Sequence, residues 1–288
     1  MKRILIPTDF SENSIKVCEY AVNIIGNVKA EIKLFHILPD SLMIPDSSFP
    51  AGIDSDAFFN SEYLENLKKQ AKKNISKLKS KTLEYIIKRG IGTINISTQI
   101  TSGDAEWEIM SACNNFSPEL IIMGTRGSGN KGILEGSMAE KIMSKVDIPV
   151  IAIPENCNCL VPKNILYATN FSERDYMKIV LLFTLFKNHN ITIYVTHFDV
   201  GPNESSSISK IDALSEAFQK ERSDGQIFFN IIDGSDKSVS LSTFCEEYEI
   251  DMISFISHKS NIFQNLFSRK IHKKDFFKLN IPLLAMHE

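Results

Sequence analysis

Residues 2–17 read KRILIPTDFSENSIKV, and residues 163–178 read KNILYATNFSERDYMK. At an offset of 161 positions (163 − 2 = 161), the two stretches share a lysine, an Ile-Leu pair, a threonine and a Phe-Ser-Glu run. In each stretch a short apolar run precedes a polar turn and a helix-like pattern, as expected for a buried parallel strand that leads into a helix. The chain therefore contains an internal repeat.

The two copies of the repeat also end alike. DIPVIAIP at residues 147–154 matches NIPLLAM at residues 280–286, so that Pro149 corresponds to Pro282 at an offset of 133 (282 − 149 = 133). The second copy is therefore 28 residues shorter (161 − 133 = 28). We predict one domain at residues 1–154, a linker at 155–162 and a shorter, degenerate copy of the domain at 163–288.

Strand and helix patterns alternate along each copy, which predicts α/β domains with parallel sheets and right-handed crossovers. We expect two tandem doubly wound α/β/α domains, each with a five-stranded parallel sheet. The predicted strands are Ile4–Pro7, Ile32–Leu38, Ile94–Ile100, Leu120–Gly124, Val150–Ile153 and Met252–Ile256. The predicted helices begin after a Ser11 N-cap and end near Ile25, then cover about Ser61–Lys88, Ala105–Phe116, Gly136–Lys145 and Ile211–Arg222.

Composition argues against several classes of partner. The formal net charge is −3 and the sequence pI is about 6.1, which gives no general electrostatic reason to expect nucleic acid. No window approaches the roughly 18 unbroken apolar residues of a membrane span, and no signal peptide is recognisable, so we expect a cytoplasmic protein without a membrane partner. The five cysteines lack the spacing of a metal site, and we predict no disulfide, no zinc and no other metal centre.

Two segments that follow predicted strands carry residues suited to ligand binding. Asp9 follows the first strand, where its carboxylate could accept hydrogen bonds from a ribose hydroxyl or an adenine amine; the alternative is that it helps to cap the next helix. After the fourth strand, five of the 13 glycines lie at positions 124, 127, 129, 132 and 136. Successive glycine N–H groups can surround phosphate oxygens, and Gly136-Ser137 opens a predicted helix whose N-terminus favours an anion.

With these residues the chain resembles the universal stress proteins. That family has a P-T-D-x-S segment after its first strand and a G-x₂-G-x₉-G-[ST] pattern after its fourth, on an adenine nucleotide alpha hydrolase-like fold. The resemblance implies ATP, ADP or AMP as cofactor, possible Mg²⁺, no catalytic residue and at most weak ATPase activity. Its implied nucleotide-binding residues are Pro7, Thr8, Asp9, Ile37, Met123, Gly124, Arg126, Gly127, Gly136, Ser137 and Met138.

The sequence departs from the family pattern in both copies. Eight residues rather than nine separate Gly127 from Gly136. The shortening could rotate the amides of the loop and shift the start of the helix, or it could fall in the tip at Ser128–Lys131 and leave both ends unchanged; we expect the second. In the second copy Asn170 replaces Asp9, and residues 257–270 contain no glycine. Phe263, Leu266 and Phe267 are expected to cover that pocket, so the second copy is predicted not to bind nucleotide.

Three functions stay open from the sequence: a nucleotide-binding protein of stress response or signalling, a nucleotide-free interaction scaffold, and a slow Mg²⁺-dependent ATP hydrolase. His36 and His197 end the second strand of each copy, and we expect both to be structural. Trp107 is predicted to be a core or cleft residue. Val150–Ile153 and Leu283–Met286 could pair within one chain as an internal pseudo-dimer, and two chains could associate further as a homodimer.

Overall fold

The computed structural model describes residues 2–39, 55–125, 138–157, 161–199, 204–233, 237–257 and 279–288. Strands and helices alternate along these ranges, as the sequence predicts. The strands are β1 (Lys2–Pro7), β2 (Ala30–Leu38), β3 (Ile94–Ser102), β4 (Leu120–Gly124), β5 (Val150–Ile153), β6 (Asn164–Ala168), β7 (Thr192–Asp199), β8 (Ile227–Asp233), β9 (Met252–Ser257) and β10 (Leu283–His287). The helices are α1 (Asn13–Ile25), α2 (Ser55–Lys88), α3 (Ala105–Phe116), α4 (Met138–Lys145), α5 (Asp175–Leu185), α6 (Glu204–Glu216), α7 (Gln219–Ser223) and α8 (Lys237–Glu247).

The strands form one sheet in the order β3-β2-β1-β4-β5-β10-β9-β6-β7-β8. The order of the last five strands is therefore the mirror image of the order of the first five. Within each half the strand order reverses at one point, which lies between β1 and β4 in the first half and between β6 and β9 in the second. Parallel pairing links the strands within each half. The predicted α/β fold with five parallel strands in each half is confirmed, and the two sets of strands join into one ten-stranded sheet.

The two halves meet where β5 pairs antiparallel with β10, with Ala152 opposite Leu283 and Val150 opposite Ala285. Pairing of these two strands within one chain is the arrangement expected from the sequence. Further hydrogen bonds cross the junction: the Ser257 hydroxyl donates to the Met143 carbonyl at 3.0 Å, and the Lys2 ammonium donates to the Leu185 carbonyl at 3.0 Å. The junction thus combines a continuous backbone ladder with buried side-chain contacts.

Helices cover both faces of the sheet, and alternate side chains of each strand enter one of two apolar clusters. Ile4 and Ile6 of β1 face the cluster that α1, α2 and α5 cover, while Leu5 faces the cluster under α3, α4 and α8. Each cluster extends through both halves of the sheet. Cys18 is fully buried, and burial raises the pKa of its thiol to about 12, so it behaves as a small apolar core residue.

Several element bounds and one burial prediction were wrong. The second half has two helices, α6 and α7, where one helix over 211–222 was predicted; buried Phe218, with φ −123°, interrupts the helical path. The long helix begins at Ser55 rather than near Ser61. Trp107 is 64% exposed and is not a core residue, because it lies in the first turn of α3, outside the face that packs on the sheet.

Among the helices of the described ranges, none is long and apolar enough to cross a membrane.

Candidate functional site

The candidate site lies at the carboxyl ends of β1 and β4, where the strand order of the first half reverses. β1 lies between β2 and β4, and its register places Leu5 opposite Ile121. The chain therefore leaves β1 toward one side of the sheet and leaves β4 toward the other. Such a switch point opens a crevice beyond the strand ends, which is where α/β sheets of this kind bind ligands.

A compact turn connects β1 to α1 and holds Thr8 and Asp9 at this crevice. The Thr8 N–H donates to the Phe35 carbonyl at 2.9 Å, which extends the β1–β2 ladder by one bond. The Thr8 hydroxyl accepts from the Phe10 N–H at 3.2 Å and donates to the Ser14 hydroxyl at 3.0 Å. Asp9 Oδ1 accepts from the Ser11 N–H at 3.0 Å, so the carboxylate is oriented by the turn.

The first helix does not begin as predicted, because Ser11 is not its N-cap. The helix begins at Asn13, and Glu12 holds the cap position without a side-chain hydrogen bond to the helix. Asp9 takes the Ser11 N–H, and the Ser11 carbonyl accepts from the Ser14 N–H at 3.0 Å, so a turn occupies the predicted start. The predicted end is confirmed, since Gly26 caps the helix with φ 56°.

His36 supports the same turn from the neighbouring strand. Its Nδ1 lies 2.7 Å from the Thr8 carbonyl oxygen. Since a carbonyl oxygen only accepts, Nδ1 carries the hydrogen of this bond. The imidazole also packs against Phe10 in a tilted arrangement, with ring centroids 4.2 Å apart, and Phe10 adopts a left-handed φ of 62°. These contacts agree with the predicted structural role of His36.

The other predicted residues of the described ranges lie at the same edge. Pro7 ends β1, Ile37 lies next to the last residue of β2, and Met123 and Gly124 end β4. Thr125 continues the edge, because its N–H donates to the Ile153 carbonyl at 3.0 Å.

Met138 opens α4 and is partly buried against the cluster under α3, α4 and α8. The predicted helix start at Gly136 and the phosphate-loop residues Arg126, Gly127, Gly136 and Ser137 lie outside the described residues. The shortened glycine segment lies there too, as do Phe263, Leu266 and Phe267 of the second copy.

The second half repeats the turn at its own switch point, between β6 and β9. The His197 Nδ1 lies 2.9 Å from the Thr169 carbonyl oxygen, and its ring packs against Phe171 with centroids 4.3 Å apart. The Thr169 hydroxyl accepts from the Phe171 N–H at 2.8 Å. Asn170 takes the position of Asp9, so this turn presents no carboxylate at the crevice.

A buried carboxylate distinguishes the second turn, because Asp175 replaces Ser14. Asp175 is 3% exposed; it accepts from the Tyr167 hydroxyl at 2.6 Å and also from the Thr169 hydroxyl. Burial raises its pKa above the ordinary value, although these two hydrogen bonds, the Ser172 turn and nearby His197 act in the opposite direction. This acid is enclosed behind the turn and does not face the crevice.

Two residues that shape the site were not predicted from the sequence. Ser14 joins the hydroxyl of Thr8 to Oδ1 of Asp9, which lies 3.5 Å away. Asn13 is buried, and its amide donates to the Ile153 carbonyl at 3.0 Å, which ties the β1–α1 turn to the end of β5. The Phe-Ser-Glu run shared by the two copies was the available signal that this turn has a fixed geometry.

The fold and the site define a class: α/β proteins with a structured turn at the switch point of each half. The universal stress protein family model matches residues 1–154, which is more than half of the 288-residue chain. The chain belongs to the universal stress protein family.

Known relatives agree with this assignment. Universal stress protein MJ0531 of Methanocaldococcus jannaschii is 29% identical over 153 residues, which cover 53% of this chain and 81% of that protein. Universal stress protein MJ0577 of the same organism is 28% identical over 163 residues, covering 53% and 94%. A solved universal stress protein from Archaeoglobus fulgidus aligns with 99% of this chain and 96% of its own, with TM-score 0.63 and 20% identity. That likeness concerns the fold, and it extends over nearly the whole chain.

Proposed function

We propose that this chain is a tandem universal stress protein whose first domain, residues 1–154, binds ATP or a related adenine nucleotide. Its role is in stress response or signalling rather than metabolic turnover. The observation that carries the proposal is the Thr8–Asp9 turn at the switch point, beside the end of β4. A nucleoside over this edge would meet Asp9 and the main chain near Ile37, with its phosphates directed toward the glycine-rich segment after Gly124.

Electrostatics and hydrogen bonding support a nucleoside at this turn. Asp9 Oδ1 accepts from the Ser11 N–H, which orients the carboxylate at the crevice, and a carboxylate is a suitable acceptor for a ribose hydroxyl or an amine. His36 and Ser14 hold the turn before any ligand arrives. A preformed site loses less entropy when a ligand binds.

In this proposal residues 155–162 are a linker and residues 163–288 a second domain that does not bind nucleotide. The exchange of Asp9 for Asn170 and the absence of glycine from residues 257–270 support that loss. The antiparallel β5–β10 pairing supports an internal pseudo-dimer of the two domains, with any homodimer formed through other surfaces. A cytoplasmic location belongs to the same proposal.

The test is calorimetric titration of the full chain with ATP and Mg²⁺. We expect one site per chain. Asp9→Asn should weaken binding by about tenfold, since a hydrogen bond to a charged group contributes about 1.5–3 kcal/mol. The amide oxygen of asparagine can still accept from the Ser11 N–H, so the turn should persist in this variant. ADP and AMP titrations then show which phosphates contribute.

The matched control is Asn170→Ala in the equivalent turn, which should leave ATP affinity unchanged. An equal loss in both variants would indicate a general effect on folding rather than a site at Asp9. If ATP gives no heat and no nucleotide is extracted from the purified protein, the nucleotide-free scaffold replaces this proposal. Sustained phosphate release that Asp9→Asn abolishes would favour the slow hydrolase.

A further inference from the structure

A second cavity lies behind the β1–α1 turn, between the start of α1 and the middle of α2. Its volume is about 420 Å³, which is within the usual range for small-molecule sites. The residues that line it are Phe10, Ser11, Glu12, Ser14, Ile15, Asn74, Lys77, Leu78 and Lys81. We refer to it as the α1–α2 pocket.

The α1–α2 pocket and the candidate nucleotide site are on different sides of the turn. Phe10 and Ile15 pack toward the cluster covered by α1 and α2, whereas Ile37 and Met123 belong to the cluster on the opposite face of the sheet. None of the predicted nucleotide-binding residues lines the pocket. A ligand held between α1 and α2 would therefore not occupy the crevice beyond β1 and β4.

One wall of the pocket carries two lysines on successive turns of α2. Lys77 and Lys81 are four residues apart and share a helix face, where like charges repel. Neither ammonium group forms an ion pair with a carboxylate within the described parts of the chain. Glu12 is the single carboxylate among the lining residues, so the charged groups of the pocket sum to +1 (2 − 1 = 1). An anion placed between the lysines would relieve their repulsion.

The opposite wall and the base offer a different kind of contact. Phe10, Ile15 and Leu78 supply apolar surface, and Leu78 is buried. Ser11 and Ser14 lie in the wall at the start of α1, a helix whose N-terminus has neither a side-chain cap nor an acidic residue in its first turn. The partial positive charge of that helix end adds to the charge of the lysines.

We propose that the α1–α2 pocket binds a small amphiphilic anion, with an aromatic or short aliphatic body and one sulfonate, carboxylate or phosphate group. The apolar body packs against Phe10, Ile15 and Leu78. The anionic group lies between Lys77 and Lys81. Size and charge together define this ligand class: the cavity is too small for a polymer, and its cationic rim disfavours a cationic ligand.

The probe for the experiment is 8-anilino-1-naphthalenesulfonate, an aromatic anion that fluoresces when its ring is removed from water. The full chain is titrated with the probe, and the Lys77→Ala/Lys81→Ala variant is titrated in parallel. We expect the variant to bind about tenfold more weakly, because the sulfonate loses its contacts with two ammonium groups that are exposed and therefore each contribute modestly. Backbone amide chemical shifts should change at residues 10–15 and 74–81 of the wild-type chain on addition of the probe.

The matched protein control is Lys68→Ala/Lys69→Ala, which removes the same charge from exposed positions of α2 outside the pocket, about 12 Å or more along the helix from Lys77. Its affinity should stay within about twofold of wild type, since exposed charges at a distance are screened. The matched ligand control is N-phenyl-1-naphthylamine, which lacks the sulfonate and should bind wild type and Lys77→Ala/Lys81→Ala equally.

Three results would overturn the proposal. Equal losses in the two lysine variants would show that only overall charge matters. Unchanged affinity in Lys77→Ala/Lys81→Ala would remove the lysines from any role. Chemical-shift changes confined to other residues would place the probe elsewhere. Urea unfolding of each variant checks that the fold is retained, and none of these outcomes depends on nucleotide binding by the first domain.

Discussion

Phe10 and Phe171 lie 161 positions apart and adopt the same left-handed backbone conformation, with φ of 62° and 60°. Each phenylalanine packs against a histidine ring. The Nδ1 of that histidine bonds to the carbonyl of the threonine that precedes the phenylalanine by two residues. Such a φ is unfavourable for a bulky residue and persists only where surrounding contacts compensate for it. The turn is therefore a structural unit in both halves, whether or not a carboxylate follows the threonine.

Replacing His36 tests how this unit serves the proposed site. His36→Ala removes the donor to the Thr8 carbonyl and the ring against Phe10, and should lower the free energy of unfolding by about 1–2 kcal/mol. His197→Ala should cost a similar amount. Urea unfolding measures both, and ATP titration separates them, because only His36→Ala should also weaken nucleotide binding. Equal ATP affinities in the two variants would argue against a site at the first turn.

Asp175 should make stability depend on pH. Burial raises its pKa in the folded protein above the ordinary value, so folding favours the protonated carboxyl. The contribution of Asp175 to the free energy of unfolding is then fully present below its pKa in the unfolded chain, about 3.9. That contribution is lost as the pH rises through the pKa of Asp175 in the folded protein. The Asp175→Asn variant lacks this titration.

The corresponding measurement is urea unfolding of wild type and Asp175→Asn at a series of pH values. Asparagine has one acceptor oxygen where aspartate offers two. The free energy of unfolding of the variant therefore also differs from that of wild type by an amount that does not depend on pH. Relative to wild type, the variant should gain stability as pH rises from about 4, and then level off above the folded pKa. A difference that stays flat across this range would contradict a raised pKa.

Two serines of β9 provide a paired test of the junction between the halves. Ser257 is buried and donates to the Met143 carbonyl of the first half, so Ser257→Ala should cost about 1 kcal/mol of unfolding free energy. Ser254 is equally buried, but its hydroxyl has no partner within the described residues. Ser254→Ala should therefore be neutral or stabilising. If Ser257→Ala is the less damaging of the two, the cross-half bond contributes nothing.

Gly103 should tolerate substitution poorly. It has φ 147°, its N–H donates to the Leu38 carbonyl at the end of β2, and an added Cβ would lie 3.0 Å from a Glu108 carboxylate oxygen. Gly103→Ala should cost about 1–3 kcal/mol. Gly90 has φ 68° with open space around it, so Gly90→Ala should cost about 1 kcal/mol. Thermal unfolding compares the two variants. A smaller decrease in melting temperature for Gly103→Ala than for Gly90→Ala would refute this expectation.

The sequence predicted the strands better than the turns. β4, β5 and α3 have the predicted bounds, because their apolar runs and helical spacing end at Gly, Pro and Asp signals that act locally. The start of α1 was not predictable in this way. It depends on Asp9 accepting the Ser11 N–H and on the φ of Phe10, which in turn requires a histidine from another strand.

The candidate site was likewise predictable where strand order decides it and unpredictable where contacts between elements decide it. That Thr8, Asp9, Met123 and Gly124 share one edge follows from parallel strands and their order, which an alternating pattern predicts. The roles of Ser14 and Asn13 required coordinates, because each joins atoms of different elements through a buried hydrogen bond. Nothing in the repeat itself indicated that Asp175 would be buried behind Tyr167 and Thr169.

The position of β10 has a consequence for how the chain reaches its native state. β10 lies between β9 and β5, so Ala285 must find Val150, which lies 135 residues earlier (285 − 150 = 135). Contacts between residues so far apart in the sequence form slowly, because the chain loses the entropy of closing the loop before strand pairing compensates for that loss. Until β10 is seated, β5 and β9 each expose an unpaired apolar edge, which is a template for aggregation. Refolding yield should therefore fall as protein concentration rises, even where the native state is stable.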